Sequence, residues 1–509
     1  MTSQPATTLP ITRRALIRAG LGAGGAALLG GGGYAISQLL GGDVPLLASW
    51  RVTAGAGGAV RRFHSLPDLA PPTTHVLVGA PPRAAPGYLL MGPSAVDGAQ
   101  SGPAIVDSVG DPVWFAPVRH GGWVTNFSVQ TYRGAPVLIW WEGAVVSGYG
   151  QGEAVIVDSS YRELARVRAA NGRHMDLHEL LLTERGTALF TCAPVTTTTD
   201  LSAMGASAAA PVRESVFQEV DIATGRLVRE WRSLGHVDPS ESYRTPTGTF
   251  DYLHLNSIGV TPDGNLLVSG RHTWALYKLD RSSGDVIWRL GGKRTQFAMG
   301  TGAQFAWQHD VRQPDAHTLT VFDNGDDGRT RTHATRGLLL DIDERGRRVS
   351  LTRAYTRPHE VDATAMGSAR HLSDGHMAIG WGSAPYVTEF DEHGTVLSDL
   401  RIGTSSEQKS YRSFRQPWTG RPAGAPALAA SRDRSSARVT AYLSWNGATE
   451  VSHWRIDAGS RPTDLRRLGI APRRGFETAV NLGTGEGYVA VTALDARRRP
   501  LGRSAVLAV

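Results

Sequence analysis

The sequence holds one cysteine, Cys192, and three lysines, Lys278, Lys293 and Lys409. A single cysteine excludes an internal disulfide and any multi-cysteine metal centre. In the apolar run ALFTC it reads as a buried inert thiol, not a nucleophile. With so few lysines, nearly all of the 53 basic residues are arginine, a skew that reads as the coding bias of a GC-rich bacterium. No G-x-x-x-x-G-K-S/T loop occurs, and LGGK does not match one, so the usual cradle for a nucleotide donor is missing. The zinc pattern H-E-x-x-H is also missing, since neither HELLL nor HEVDA completes it. The acidic run DNGDDGR lacks the spacing and terminal Glu of an EF-hand loop and reads as a charged, solvated turn. No basic stripe interleaved with aromatics crosses the large central region, which argues against nucleic acid as a partner. Long helical periodicity is missing too, and that disfavours an α/β fold.

What remains is a folded globular composition: 509 residues, 41% hydrophobic and 19% charged, with a net charge of +7. That length implies more than one domain unless a repeat absorbs it. Arg13 and Arg14 precede a weakly apolar Gly/Ala stretch, so residues 1–45 are expected to form a twin-arginine export signal. Cleaved, it would leave the protein extracellular; uncleaved, it would anchor it to the outer face of the cytoplasmic membrane. Gly20, Gly22 and Gly25 have no strand before them, so they are no dinucleotide fingerprint. The stretch from Arg51 to Ala423 is near neutral, whereas from Gly424 onward 13 arginines face 7 acidic residues.

From about Gly87 one device recurs: an apolar strand, an Asp-centred turn and a second apolar strand. Its copies run from AIVDSVGDPVWF to VTEFDEHGTVLSDL and centre on Asp107, Asp158, Asp221, Asp280, Asp343 and Asp391. Alternating apolar residues about Asp and Gly mark β-hairpins. A second hairpin, such as LHLNSIGVTPDGNLLVSG, lies between copies, and a repeat of roughly 50–60 residues is that of a four-stranded propeller blade. The expected fold is all-β: a six-bladed β-propeller over residues 85–420. The segment Pro194 to Arg213, with TTTT and ASAAAP, reads as a long loop inserted in one blade. Residues 424–509 follow the linker WTGRPAG. Their tryptophan strand, NG turn and closing YVAVTALD resemble a fibronectin type III β-sandwich.

The first strand of each blade lines a propeller's channel, so polar residues at one phase of the repeat should converge. They are His178 in MDLHELL, His254 in DYLHLNS and His309 in WQHDVR, with Asn126 and His371 offered by flanking repeats. Any one such histidine is more often a structural hydrogen-bonder; three in phase reverse that reading. Arg271 opens the loop after the next strand of the His254 repeat, with His272 beside it as a structural or supporting residue. His174 is an even choice between support and surface, while His64, His75, His120 and His236 read as surface or loop residues.

The runs FDYLHLNSIGVTPDGNLLVSGRHT, VIWRLGGK, FAWQHDVR, FDNG and SYRSF resemble the aryl sulfotransferase family in its actinobacterial and fungal branch, whose members need no nucleotide sulfate donor. The resemblance covers most of residues 85–418. It implies an enzyme that moves a sulfuryl group from an aryl sulfate ester to a phenol, without a cofactor or metal. His309 would be the nucleophile, His178 and His254 its supports, and Arg271 the sulfate-binding residue. The chain departs from the bacterial enzymes of the family in lacking their disulfide and N-terminal β domain. Two other readings stay open at this point: another propeller enzyme, such as a quinone dehydrogenase or a lactonase, and a non-catalytic cell-envelope scaffold.

Overall fold

The computed structural model describes the strand Ala48–Ser49 and residues 60–509 apart from 80–83, 85, 97, 119–120, 436–437 and 484–485. The expected export signal over 1–45 lies outside the described residues, among which no helix is long and apolar enough to cross a membrane. Strand makes up 51% of the chain and helix 2%, so the protein is all-β. The repeated aspartates act as hairpin turns because a short carboxylate can accept amide hydrogens a few residues on. Asp107 accepts from Val109 and Asp111 at 3.0 and 2.8 Å, and Asp391 from His393 and Thr395 at 3.0 and 2.7 Å.

The strands between 88 and 416 fall into groups of four in which neighbours pair in sequence order, and one group also takes Ala298–Met299 as a parallel fifth strand beside Arg348–Tyr355. Their inner strands are Trp123–Tyr132, Met175–Leu182, Leu255–Val260, His309–Arg312, Ser368–His371 and Ser410–Gln416. The first two groups join through Met175 and Gly152 into one large sheet. The last group is assembled from both ends of the region: Ser410–Gln416 pairs antiparallel with Tyr88–Pro93, which leads on to Ala104–Val106 and Pro112–Phe115. Each inner strand lies against the next, and Ser410–Gln416 touches both Ser368–His371 and Trp123–Tyr132. Apolar clusters fill the spaces between successive groups. Leu189, Phe217, Ile258 and Tyr277 make one, and Leu90, Ile105, Phe127 and Leu138 fill the space between the last group and the first.

Two segments differ from expectation. The loop expected from Pro194 to Arg213 is confined to residues 200–209: Thr187–Thr199 and Ala210–Asp221 stay paired out to Thr199 and Ala210, extending the hairpin beyond its sheet. The β-branched threonines favour that extended backbone. Thr74–Val78, before the expected boundary at 85, adds an outer strand against Val396–Ile402.

Residues 427–508 form two sheets, one of which also takes Ala48–Ser49 as an edge strand beside Glu477–Gly483. Leu443 and Val480 from one sheet pack with Trp454, Ile456 and Val491 from the other over a common core. The expected NG turn docks this unit on the four-stranded groups. Asn446 accepts from Phe115 N–H at 3.0 Å and donates to its carbonyl at 2.8 Å, and Tyr161 donates to Gly447 O at 2.7 Å. Gly447 has φ 93°, and a Cβ there would lie 2.3 Å from the Tyr161 ring, so only glycine fits.

Candidate active site

His309 opens the inner strand His309–Arg312, His254 comes just before Leu255–Val260, and His178 is the fourth residue of Met175–Leu182, so all three face the space those strands enclose. The rings of His178 and His254 meet edge-on at 5.0 Å, and Tyr411 lies 5.8 Å from His178 and 6.4 Å from His309. Each histidine is oriented through Nδ1. Asp176 Oδ2 lies 2.5 Å from His178 Nδ1, Asp251 Oδ2 2.8 Å from His254 Nδ1, and Asn324 Oδ1 2.6 Å from His309 Nδ1. Tyr149 donates to the same Asp251 oxygen at 2.6 Å.

The Asn324 contact fixes a tautomer. Its Nδ2 donates to the carbonyls of Ala363 (2.5 Å) and Met366 (3.1 Å), so its oxygen is left to accept the His309 Nδ1–H. His309 Nε2 therefore carries the lone pair, and Met366 N–H donates to it at 3.2 Å. Burial, together with the nearby Arg271 charge, holds the His309 pKa well below the ordinary histidine value, so the ring is neutral.

Arg271 is 8% exposed and follows Leu266–Gly270. Its Nη1 lies 3.2 Å from His272 Nε2, its Nη2 donates to Thr364 O at 2.9 Å, and its guanidinium stands 5.3 Å from the Trp307 ring centroid. Arg244 shares that ring at 4.7 Å and pairs with Asp327 at 2.5 Å. Burial and the Arg244 charge lower the Arg271 pKa to about 10, which leaves it a cation at neutral pH. Burial takes His272 down to about 3, consistent with a ring whose Nδ1–H donates to Asp251 O at 2.6 Å. Asp251, His254 and His272 could bring ligand atoms within 4.8 Å of one another, as a metal site would. Both His272 nitrogens and His254 Nδ1 are already engaged with hydrogen-bond partners, and a guanidinium 3.2 Å from His272 Nε2 opposes a cation, so the trio acts as a hydrogen-bond network.

Several buried polar atoms here have no hydrogen-bond partner among the described residues: Tyr411 Oη, Trp307 Nε1, Trp274 Nε1 and Asp251 Oδ1. Three of these are donors and Asp251 Oδ1 is an acceptor; buried polar groups are normally paired, so the three open donors, beside a cation and a neutral imidazole, mark a place for an anionic ligand.

A family model for arylsulfotransferase (ASST) matches residues 128–403, more than half of the chain. The chain belongs to the arylsulfotransferase family. The match spans His178, His254, Arg271 and His309. No curated protein matches this sequence. Among solved structures, a Bacteroides caccae protein of unknown function is 15% identical with a TM-score of 0.37, over 65% of this chain and 98% of that one. A virginiamycin B lyase from Staphylococcus aureus is 9% identical with a TM-score of 0.35, over 74% of this chain and 97% of that one. Likenesses this distant say nothing of function.

The other candidate residues of the sequence go elsewhere. His174 is exposed, and His371, also exposed, lines a cavity of about 370 Å³ with Arg370, Arg412 and Arg415. That cavity is built from later positions of the inner strands and lies away from the histidines. Asn126 belongs to a polar layer between the two. Each inner strand supplies one member: Asn126, Glu179, Asn256, Asp310, Arg370 and Arg412. Arg412 donates to Asn126 Oδ1 (2.8 Å), Glu179 Oε1 (2.7 Å) and Asn256 O (3.1 Å), while Arg370 clasps Asp310 at 2.9 and 2.8 Å. The DNGDDGR run is solvated only towards its end, at Gly328 and Arg329: Asp323 and Asn324 are fully buried, and Asn324 sets the His309 tautomer. Asp176 and Asp251 were missed as well, although D-x-H and D-x-x-H spacing was visible before His178 and His254.

Proposed function

We propose that the protein is an exported aryl sulfotransferase that moves a sulfuryl group from an aryl sulfate ester to a phenol through a sulfohistidine on His309. The observation that carries this is the neutral His309, its Nδ1–H bound to Asn324 and its Nε2 lone pair beside Arg271 and open donors. Attack by Nε2 forms an N–S bond as the S–O bond to the aryl group breaks, and the phenolate leaves with that electron pair and is protonated by solvent. The Met366 N–H now on Nε2 has to give way to the sulfur. Arg271 presents a planar fork to the sulfuryl oxygens. In the second half, His254 or His178, each with Nδ1 held by a carboxylate, takes the acceptor's proton on Nε2. The acceptor oxygen then attacks sulfur, and His309 leaves with its lone pair restored. No nucleotide donor, cofactor or metal enters these steps.

In the same reading the six groups of four strands are the blades of one propeller, closed where Ser410–Gln416 joins the first blade over residues 85–420. The ring order of the inner strands and the apolar cluster between last and first groups support this. Residues 424–509 are its fibronectin type III-like sandwich, and residues 1–45 its twin-arginine signal or membrane anchor.

The test is intact-protein mass spectrometry with peptide mapping after incubation with an aryl sulfate at mildly alkaline pH. One sulfuryl adduct on His309, lost together with phenol release in His309→Ala, is expected. Sustained transfer with His309 unmodified would refute the assignment.

A further inference from the structure

Tyr411 is the residue that touches both ends of the histidine cluster. It sits on the Ser410–Gln416 strand, 2% exposed, with its ring edge-on to His178 at 5.8 Å and 85° and to His309 at 6.4 Å and 76°. Its backbone is pinned: Gly367 N–H donates to Tyr411 O at 2.9 Å, next to the Met366 amide that rests on His309 Nε2. Gly367 at φ 109° has no room for a Cβ, which would fall 2.2 Å from the Phe322 ring. The hydroxyl itself has no partner among the described residues.

In this Tyr411 differs from three other buried tyrosines of the molecule. Tyr149, Tyr252 and Tyr277, all buried, spend their hydroxyls on Asp251 (2.6 Å), Ser233 (2.6 Å) and Glu241 (3.1 Å). An unpaired buried hydroxyl is costly to keep, and a phenylalanine would fill the same volume without the cost. A purely packing role therefore does not account for the oxygen. Burial raises the Tyr411 pKa well above the ordinary phenol value, so the group is a neutral O–H donor and not a base. The negative species this site is built to hold is a sulfuryl oxygen.

We propose that Tyr411 is a further catalytic residue of this site, its hydroxyl donating a hydrogen bond to a non-bridging oxygen of the sulfuryl group while that group passes to and from His309 Nε2. The proposal rests on the reading of the site as a sulfuryl-transfer centre. Arg271 supplies the charge and Tyr411 a second, directional contact from the strand opposite. Together they hold the S–O bond in line with the His309 lone pair.

The experiment compares wild type with Tyr411→Phe, which removes one oxygen, in two measurements. First, formation of the His309 adduct from an aryl sulfate is timed. The variant is expected to react about 10²–10³-fold more slowly, the usual effect of deleting one preorganised donor. Second, binding of inorganic sulfate is measured by calorimetry, with about 10–100-fold weakening expected for loss of a hydrogen bond to a charged group. The thermal midpoint without ligand should not fall, which separates the proposal from a structural role. Equal adduct rates and equal sulfate affinity in the two proteins would overturn it, as would a wild type that binds no sulfate. A wild type that forms no adduct but binds sulfate through the Tyr411 hydroxyl would instead overturn the transferase reading and leave Tyr411 as an oxyanion ligand.

Discussion

Replacing Glu179 by glutamine should destabilise the protein far more than loss of a surface ion pair. The side chain is 1% exposed, and its carboxylate meets Arg412 Nη1 at 2.7 Å and Arg312 Nη2 at 2.6 Å. It also accepts Ile258 N–H at 3.1 Å. Burial pushes its pKa up, but the two guanidinium charges outweigh that and hold it at about 2, below its ordinary 4.5. At about 1.4 kcal/mol per pKa unit, that difference corresponds to about 3 kcal/mol of charge stabilisation. Removing one partner of a buried pair costs about 3–5 kcal/mol in general, because the other charge is stranded. Here the stranded charge is Arg412, itself 1% exposed and left with Asp310 at 3.3 Å. The assay is urea denaturation followed by tryptophan fluorescence, comparing midpoint times slope for Glu179→Gln and wild type. A loss of about 3–5 kcal/mol is expected. The double variant Glu179→Leu/Arg412→Met should recover much of it, since it removes the Glu179–Arg412 pair together and Arg312 keeps Asp310 at 3.1 Å. A loss below about 1 kcal/mol, the level of an exposed pair, would refute the polar layer as a buried charge network.

Acid should destabilise the site from another source. His254, His272 and His309 all have pKa values below 6.5 in the folded chain, so the unfolded chain binds more protons below that pH. Stability is then full above pH 6.5 and falls as pH drops below it, by up to about 1.4 kcal/mol per pH unit for each histidine until its folded pKa is reached. Thermal midpoints at pH 7 and pH 5 check this, and equal midpoints would contradict it. Asn324→Leu should slow adduct formation about 10–100-fold by freeing the His309 tautomer. Asn324→Asp should instead raise the His309 pKa and move the acid limb of the pH–rate profile upward, a shift that a merely structural residue would not produce. Deleting residues 424–509 should leave a cooperative thermal transition at a lower midpoint, because Phe115 and Tyr161 lose their Asn446 and Gly447 partners; loss of any transition would show that the sandwich is part of the same folding unit.

By itself, the sequence determined the all-β class, the hairpin repeat and the phase of His178, His254 and His309. These are local matters: strand alternation, Asp-centred turns and their recurrence along the chain are written in the sequence. Much of the rest depended on which distant strands meet. Ser410–Gln416 pairs with Tyr88–Pro93 across more than three hundred residues, and only that pairing brings Tyr411 between His178 and His309 and Arg412 onto Glu179. Asn324 looked like part of a solvated acidic turn because composition cannot show that the chain folds it inward against the Ala363 and Met366 carbonyls. The threonine-rich stretch has the composition of a loop and the β-branched residues of a strand, and the partner beside it decides for strand as far as Thr199 and Ala210. His371 was expected at the repeat phase but lies in the opposite cavity: it follows its layer residue Arg370, whereas His178 and His309 precede theirs, so it stands two residues further along its strand, an offset that spacing between repeats does not resolve.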